Sequence, residues 1–218
     1  MIAHIPLNAH PNPKRVLVVG GGDGGVLREV TKHECVEKID IVEIDDSVVR
    51  LAKQYLPDMA KGYNDPRITL HITDGFDFLR TKTAEYDVII SDTSDPEGPA
   101  EVLFQEEYFR LLDNALTEKG VISMMASENV WLKVTVLEKL RATCKNVFPT
   151  VEYAYTCVPT YTSGQLGLMI CSKDAANDVT TPTRLWDREV EASINRYYNR
   201  EIHRASFVIP TFARRYLA

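Results

Sequence analysis

Apolar residues fall in short runs separated by polar stretches of helical spacing. Arg15-Val-Leu-Val-Val19 is continuous, β-branched and followed by glycines, which predicts a parallel strand buried on both faces. Ile39–Ile44, Ile68–Ile72, Tyr86–Ser91 and Val121–Ala126 predict four more strands. Val26–Lys32, Ser47–Tyr55, Phe76–Arg80, Gln105–Leu116 and Val130–Lys145 read as the intervening helices, with Asp45 or Asp46 capping the second. Such alternation predicts an α/β fold with a mostly parallel, doubly wound sheet. After Pro149 the pattern changes. Val151–Val158 and Gln165–Ser172 flank a Pro-Thr-Tyr-Thr-Ser-Gly turn and read as an antiparallel edge pair. Lys173–Thr183 reads as a surface loop. Arg184–Ala218 reads as helices packing back through Tyr197-Tyr198, Phe207 and Phe212. Met1–Leu7 is apolar and reads as the end of an element.

Composition narrows the class. The chain has 218 residues, 44% hydrophobic and 26% charged, with a formal net charge of −6. That balance argues against nucleic acid as a partner and suits cationic ligands. No apolar run reaches the roughly 18 residues of a membrane span. The amino terminus lacks the charged and apolar regions of a signal peptide, so a cytoplasmic setting is expected. Cys35, Cys144, Cys157 and Cys171 show no metal-ligand spacing and are expected to be reduced. The five histidines are scattered, and no metal site is expected.

The chemistry concentrates at the predicted carboxyl ends of the strands. Gly20-Gly-Gly-Asp-Gly-Gly25 follows the first, with Gly20 and Gly22 allowing close backbone approach to a ligand. Glu43 ends the second, where an acid accepts ribose hydroxyls. Asp23 would repel a pyrophosphate or an amino-acid carboxylate and attract an ammonium. A nucleoside carrying an amine and no carboxylate fits best, although Asp23 also suits a cap on the next helix. Asp74-Gly75 follows the third strand. It suits an adenine amino group, an N-cap, or both. The fourth strand ends in Ser91-Asp-Thr-Ser-Asp-Pro-Glu-Gly-Pro99, whose acids Asp92, Asp95 and Glu97 suit a cationic substrate such as a diamine. The plainer reading is an acidic turn.

These motifs resemble the spermidine synthases, a family of polyamine aminopropyltransferases. The matching stretches are His10-Pro-Asn-Pro13, Val16–Glu29, Val42-Glu-Ile-Asp45, Asp74-Gly-Phe76, Ser91–Ala100, Pro159–Gln165 and His203–Phe207. The resemblance implies a methyltransferase-like Rossmann fold with decarboxylated S-adenosylmethionine as donor, putrescine as acceptor and no metal. It implies donor contacts at Gly20, Gly22, Asp23, Glu43, Asp74 and Gly75. Asp92 would be the proton acceptor. Asp92, Thr93, Ser94, Asp95 and Tyr161 would contact the acceptor. It further implies a homodimer, a lead-in over residues 1–14 left from an amino-terminal β segment, and a catalytic domain over 15–218. The chain departs from the family in three places. Most of that β segment is missing, Met125-Ala-Ser-Glu128 stands where Gln-Gly-Glu is usual, and Thr162 replaces a proline. An S-adenosylmethionine-dependent methyltransferase, including one acting on putrescine, and a weakly active regulatory relative are the rival readings.

Overall fold

In the computed structural model, which describes residues 1–95, 98–126 and 129–217, seven strands form one sheet. They are β1 (Arg15–Gly20), β2 (Lys38–Glu43), β3 (Ile68–Ile72), β4 (Tyr86–Asp92), β5 (Leu116–Met125), β6 (Thr150–Cys157) and β7 (Gln165–Ser172). Their spatial order is β3-β2-β1-β4-β5-β7-β6. β1 to β5 pair in parallel, and β7 runs antiparallel to both β5 and β6. This is the expected methyltransferase-like Rossmann sheet with its antiparallel edge pair.

The helices are α1 (His4–Ala9), α2 (Gly25–Val30), α3 (Asp46–Tyr55), α4 (Pro57–Ala60), α5 (Gly75–Arg80), α6 (Glu106–Ala115), α7 (Val134–Lys145), α8 (Arg188–Ile194), α9 (Arg200–Ala205) and α10 (Thr211–Leu217). Successive β1 side chains point to opposite faces, which is why that strand is apolar throughout. Val16 and Val18 pack with Leu7 of α1 and Leu27 and Val30 of α2. Leu17 and Val19 pack on the other face, in one core with Leu79 of α5 and Phe109 of α6.

Several boundaries differ from the sequence reading, each for a local reason. The lead-in over residues 1–14 carries helix α1. Every residue of α1 is buried, so it lacks the polar face that marks a helix in a sequence. The helix expected from Val130 begins at Val134. The Asn129 side chain accepts from Trp131 N–H at 3.0 Å, and its carbonyl accepts from Leu132 N–H, making a local turn first. β5 starts at Leu116 because Ala115 ends α6 and the chain turns straight into the sheet. Pro57 opens α4, and 3-10 turns follow at Lys61–Asn64 and Gly98–Phe104, where the sequence pattern predicts no helix.

Behind the sheet, α1 covers a buried polar network. His4 Nδ1 lies 3.0 Å from His33 Nε2, and His4 Nε2 lies 3.0 Å from Glu29. His203 Nε2 faces the Val179 carbonyl at 3.0 Å, so its Nδ1 accepts from Tyr198 O–H at 2.8 Å. Asn8 in turn donates to that hydroxyl. Burial pushes His4 and His203 down to about 4, and His33 well below its ordinary value. The native state keeps these rings neutral, whereas the unfolded chain protonates them near pH 6.5. Unfolded chains therefore bind more protons below that pH, and stability falls as pH drops from about 6.5 to about 4. The loss is on the order of 3 kcal/mol for His203 alone. Thermal melts across this range check it, and the slope should shrink in His203→Gln.

Candidate active site

The carboxyl ends of β1, β2 and β4 and the residues after β3 surround one cavity of about 550 Å³. This is where open α/β sheets bind ligands, because the loops diverge there. Gly20, Gly22, Asp23, Glu43, Asp74, Gly75, Asp92, Thr93 and Ser94 all line it.

The glycines are required by close approach. A Cβ at Gly20 would sit 2.2 Å from the Asp92 carbonyl oxygen, with φ at +76°. A Cβ at Gly22 would sit 2.6 Å from Glu43 Oε2. Gly22 N–H donates to that oxygen at 3.1 Å, and Asp45 N–H donates to Oε1 at 3.1 Å. Two backbone donors thus aim the Glu43 carboxylate. Gly22→Ala should force this carboxylate aside and weaken nucleoside binding about tenfold, since overpacking costs about 1–3 kcal/mol. Calorimetric titration with methylthioadenosine measures that loss, and an unchanged Kd would refute it.

Asp23 and Asp74 each hold the entry to a helix while lining the cavity, Asp74 as the N-cap of α5 and Asp23 from the residue before the Gly24 N-cap of α2. Asp23 Oδ1 accepts from Gly25 N–H at 2.7 Å. Asp74 Oδ1 accepts from Phe76 N–H at 2.7 Å and Asp77 N–H at 3.3 Å. For both residues the backbone contact and the place in the cavity lining coexist.

Asp92 is the electrostatic centre. Burial, then the charges of Asp23 and Glu43, push its carboxyl up to about 6. Among the described residues lining the cavity there is no lysine or arginine to offset these acids. Thr93 Oγ1 is buried beside Asp92 and finds no hydrogen-bond partner among the described residues. A polar ligand of positive charge answers both features.

Asp95 and Tyr161 lie outside the cavity lining. Asp95 is exposed, and Tyr161 is 43% exposed on the turn between β6 and β7. Burial raises the Tyr161 phenol pKa, and the charges of Asp92 and Asp95 add to it, so all three share one field. Glu97 and Glu128 fall outside the described residues. Tyr63 was missed in the sequence. Its hydroxyl donates to the Gly22 carbonyl at 2.9 Å, bracing the glycine loop from the 3-10 turn at Lys61–Asn64. No local signal marks a contact across so many residues.

The fold and the acidic nucleoside-sized cavity define a Rossmann-type transferase for a cationic nucleoside donor. The spermine/spermidine synthase domain matches residues 1–181. A spermidine synthase of Schizosaccharomyces pombe is 55% identical over 98% of this chain and 72% of its own length. A spermine synthase of Saccharomyces cerevisiae is 52% identical over 98% of this chain and 73% of its own. A crystal structure of a spermidine synthase with the transition-state analogue AdoDATO superposes with a TM-score of 0.88 at 38% identity, covering 100% of this chain and 73% of that one. The Thermotoga maritima spermidine synthase gives a TM-score of 0.84 at 35% identity, covering 100% of this chain and 72% of that one. This chain belongs to the spermine/spermidine synthase family.

Proposed function

We propose that this chain is a spermidine synthase, moving the aminopropyl group of decarboxylated S-adenosylmethionine to putrescine. The observation that carries this reading is the raised Asp92 carboxyl, facing Asp23 and Glu43 across a cavity whose described lining offers no counter-charge. Glu43 would accept the ribose hydroxyls, and Asp74 the adenine amino group. Asp23 would bind the donor's ammonium. The donor's sulfonium and the acceptor's ammonium would supply the missing positive charge.

The chemistry is a displacement. The acceptor nitrogen's lone pair forms a C–N bond to the propyl carbon beside the sulfonium. The C–S bond breaks, its electron pair stays on sulfur, and neutral methylthioadenosine leaves. The nitrogen's surplus proton passes to Asp92. An alkyl ammonium has a pKa near 10.4, so at pH 7 under about 1% is free amine. The donor's nearby positive charge lowers that value, while burial has already raised Asp92. Asp92 thereby holds the ammonium, takes its proton and aims the lone pair. Asp95 and Tyr161 would hold the distal amine. A cytoplasmic homodimer completes the reading.

The named relatives include both spermidine and spermine synthases, so acceptor choice is the point to test. Given equal putrescine and isotope-labelled spermidine with decarboxylated donor, mass spectrometry should find unlabelled spermidine as the main product. Spermine as the main product would reassign the acceptor.

A further inference from the structure

The turn that carries Tyr161 is tied to the segment between β5 and α7 by two hydrogen bonds that the chemistry above does not use. Asn129 Nδ2 donates to the Thr162 carbonyl at 3.0 Å. Trp131 Nε1 donates to Gln165 Oε1 at 3.0 Å. The two ties grip the chain just after Tyr161 and at the start of β7. Asn129 is 3% exposed, and its Oδ1 is occupied by Trp131 N–H, so its rotamer is fixed at both ends. Backbone hydrogen bonds from Val158, Tyr161 and Gly164 N–H to the Gly164, Val158 and Tyr161 carbonyls close the turn but leave its side chains to be placed by other contacts. Ser163 sits at φ +61°, a conformation that costs a residue bearing a Cβ, and among the described residues the Tyr161 hydroxyl reaches Met125 Sδ, at 4.0 Å.

We propose that Asn129, seconded by Trp131, is a positioning residue for the acceptor. It fixes the turn so that the Tyr161 hydroxyl meets the amine beside Asp92 and Asp95. The inference rests on the reading of Tyr161 as an acceptor contact. Asn129 lies outside the cavity lining and acts through the Thr162 carbonyl and through its hold on Trp131. Its loss should therefore change the acceptor's KM and leave the donor's.

Steady-state kinetics on wild type, Asn129→Ala, Tyr161→Ala and the double variant test this, with donor and putrescine varied separately. Losing one hydrogen bond is worth up to about 1.5 kcal/mol, so Asn129→Ala should raise the putrescine KM about tenfold. The donor KM should stay within about twofold of wild type, and Asn129→Ala should add nothing in the Tyr161→Ala background. An unchanged putrescine KM overturns the proposal. So does an equal rise in both KM values, or a rise that persists undiminished without Tyr161. Should Asn129→Ala fail to fold, Trp131→Phe removes the second tie at an exposed ring. It should raise the putrescine KM about threefold, with the same dependence on Tyr161. A wild-type chain that forms no product would remove the underlying reading itself, an outcome separate from an active wild type with indifferent variants.

Discussion

Asp92→Asn should lower turnover by roughly 10²–10⁴-fold, the range expected when a positioned proton acceptor is lost. Asparagine keeps the shape and can still meet an amine, but it cannot take the proton. Donor binding, read by titration with methylthioadenosine, should change little. The same substitution should make the protein more stable. Burial and the charges of Asp23 and Glu43 raise the Asp92 carboxyl to about 6, so at neutral pH the native state carries an unfavourable charge. This group therefore destabilises the native state above pH 6, and its penalty shrinks as pH falls toward the unfolded value near 3.9. Removing the charge should add on the order of 2 kcal/mol at pH 7.5, seen as a higher Tm. In the wild type, kcat/KM should fall below about pH 6 as Asp92 takes up a proton in the free enzyme. A variant that is both active and no more stable would contradict the role and the electrostatics together.

Asp23→Asn should shift donor choice. The substitution leaves Oδ1 in place to accept from Gly25 N–H, so the entry to α2 is kept. What it removes is the negative charge facing the donor's ammonium. A hydrogen bond to a charged group is worth about 1.5–3 kcal/mol, so kcat/KM for the decarboxylated donor should drop about 10- to 100-fold. The carboxylated donor loses a repulsion at the same time, so discrimination between the two should narrow further than either change alone. Competition between the two nucleosides in one reaction, with products separated by mass, measures the ratio. A ratio equal to wild type would show that Asp23 only braces the turn into α2.

Most of this arrangement is legible in the sequence because it is local. A strand buried on both faces must be apolar throughout, so Val16–Val19 declares itself. The acids at the strand ends follow from where those runs stop. Gly22 and Glu43 meet only because β1 and β2 are neighbours, which strand–helix alternation already implies. What escapes is either long-range or stripped of pattern. Tyr63 reaches Gly22 from a segment punctuated by Pro57 and Gly62 that shows no clear period. Helix α1 is buried on every side and carries no amphipathic mark. Asn129 left a signal that was readable: a polar residue just before an expected helix, whose side chain competes for backbone donors and delays that helix. Its second contact, to Thr162, depends on the β5–β7 pairing that no local rule supplies.

The most direct measurement is product formation by the purified chain with putrescine and both nucleosides present, the decarboxylated and the carboxylated. The acidic cavity predicts spermidine and methylthioadenosine in equal amounts, abolished by Asp92→Asn. Methylated putrescine with S-adenosylhomocysteine, or no amine product at all, would contradict it.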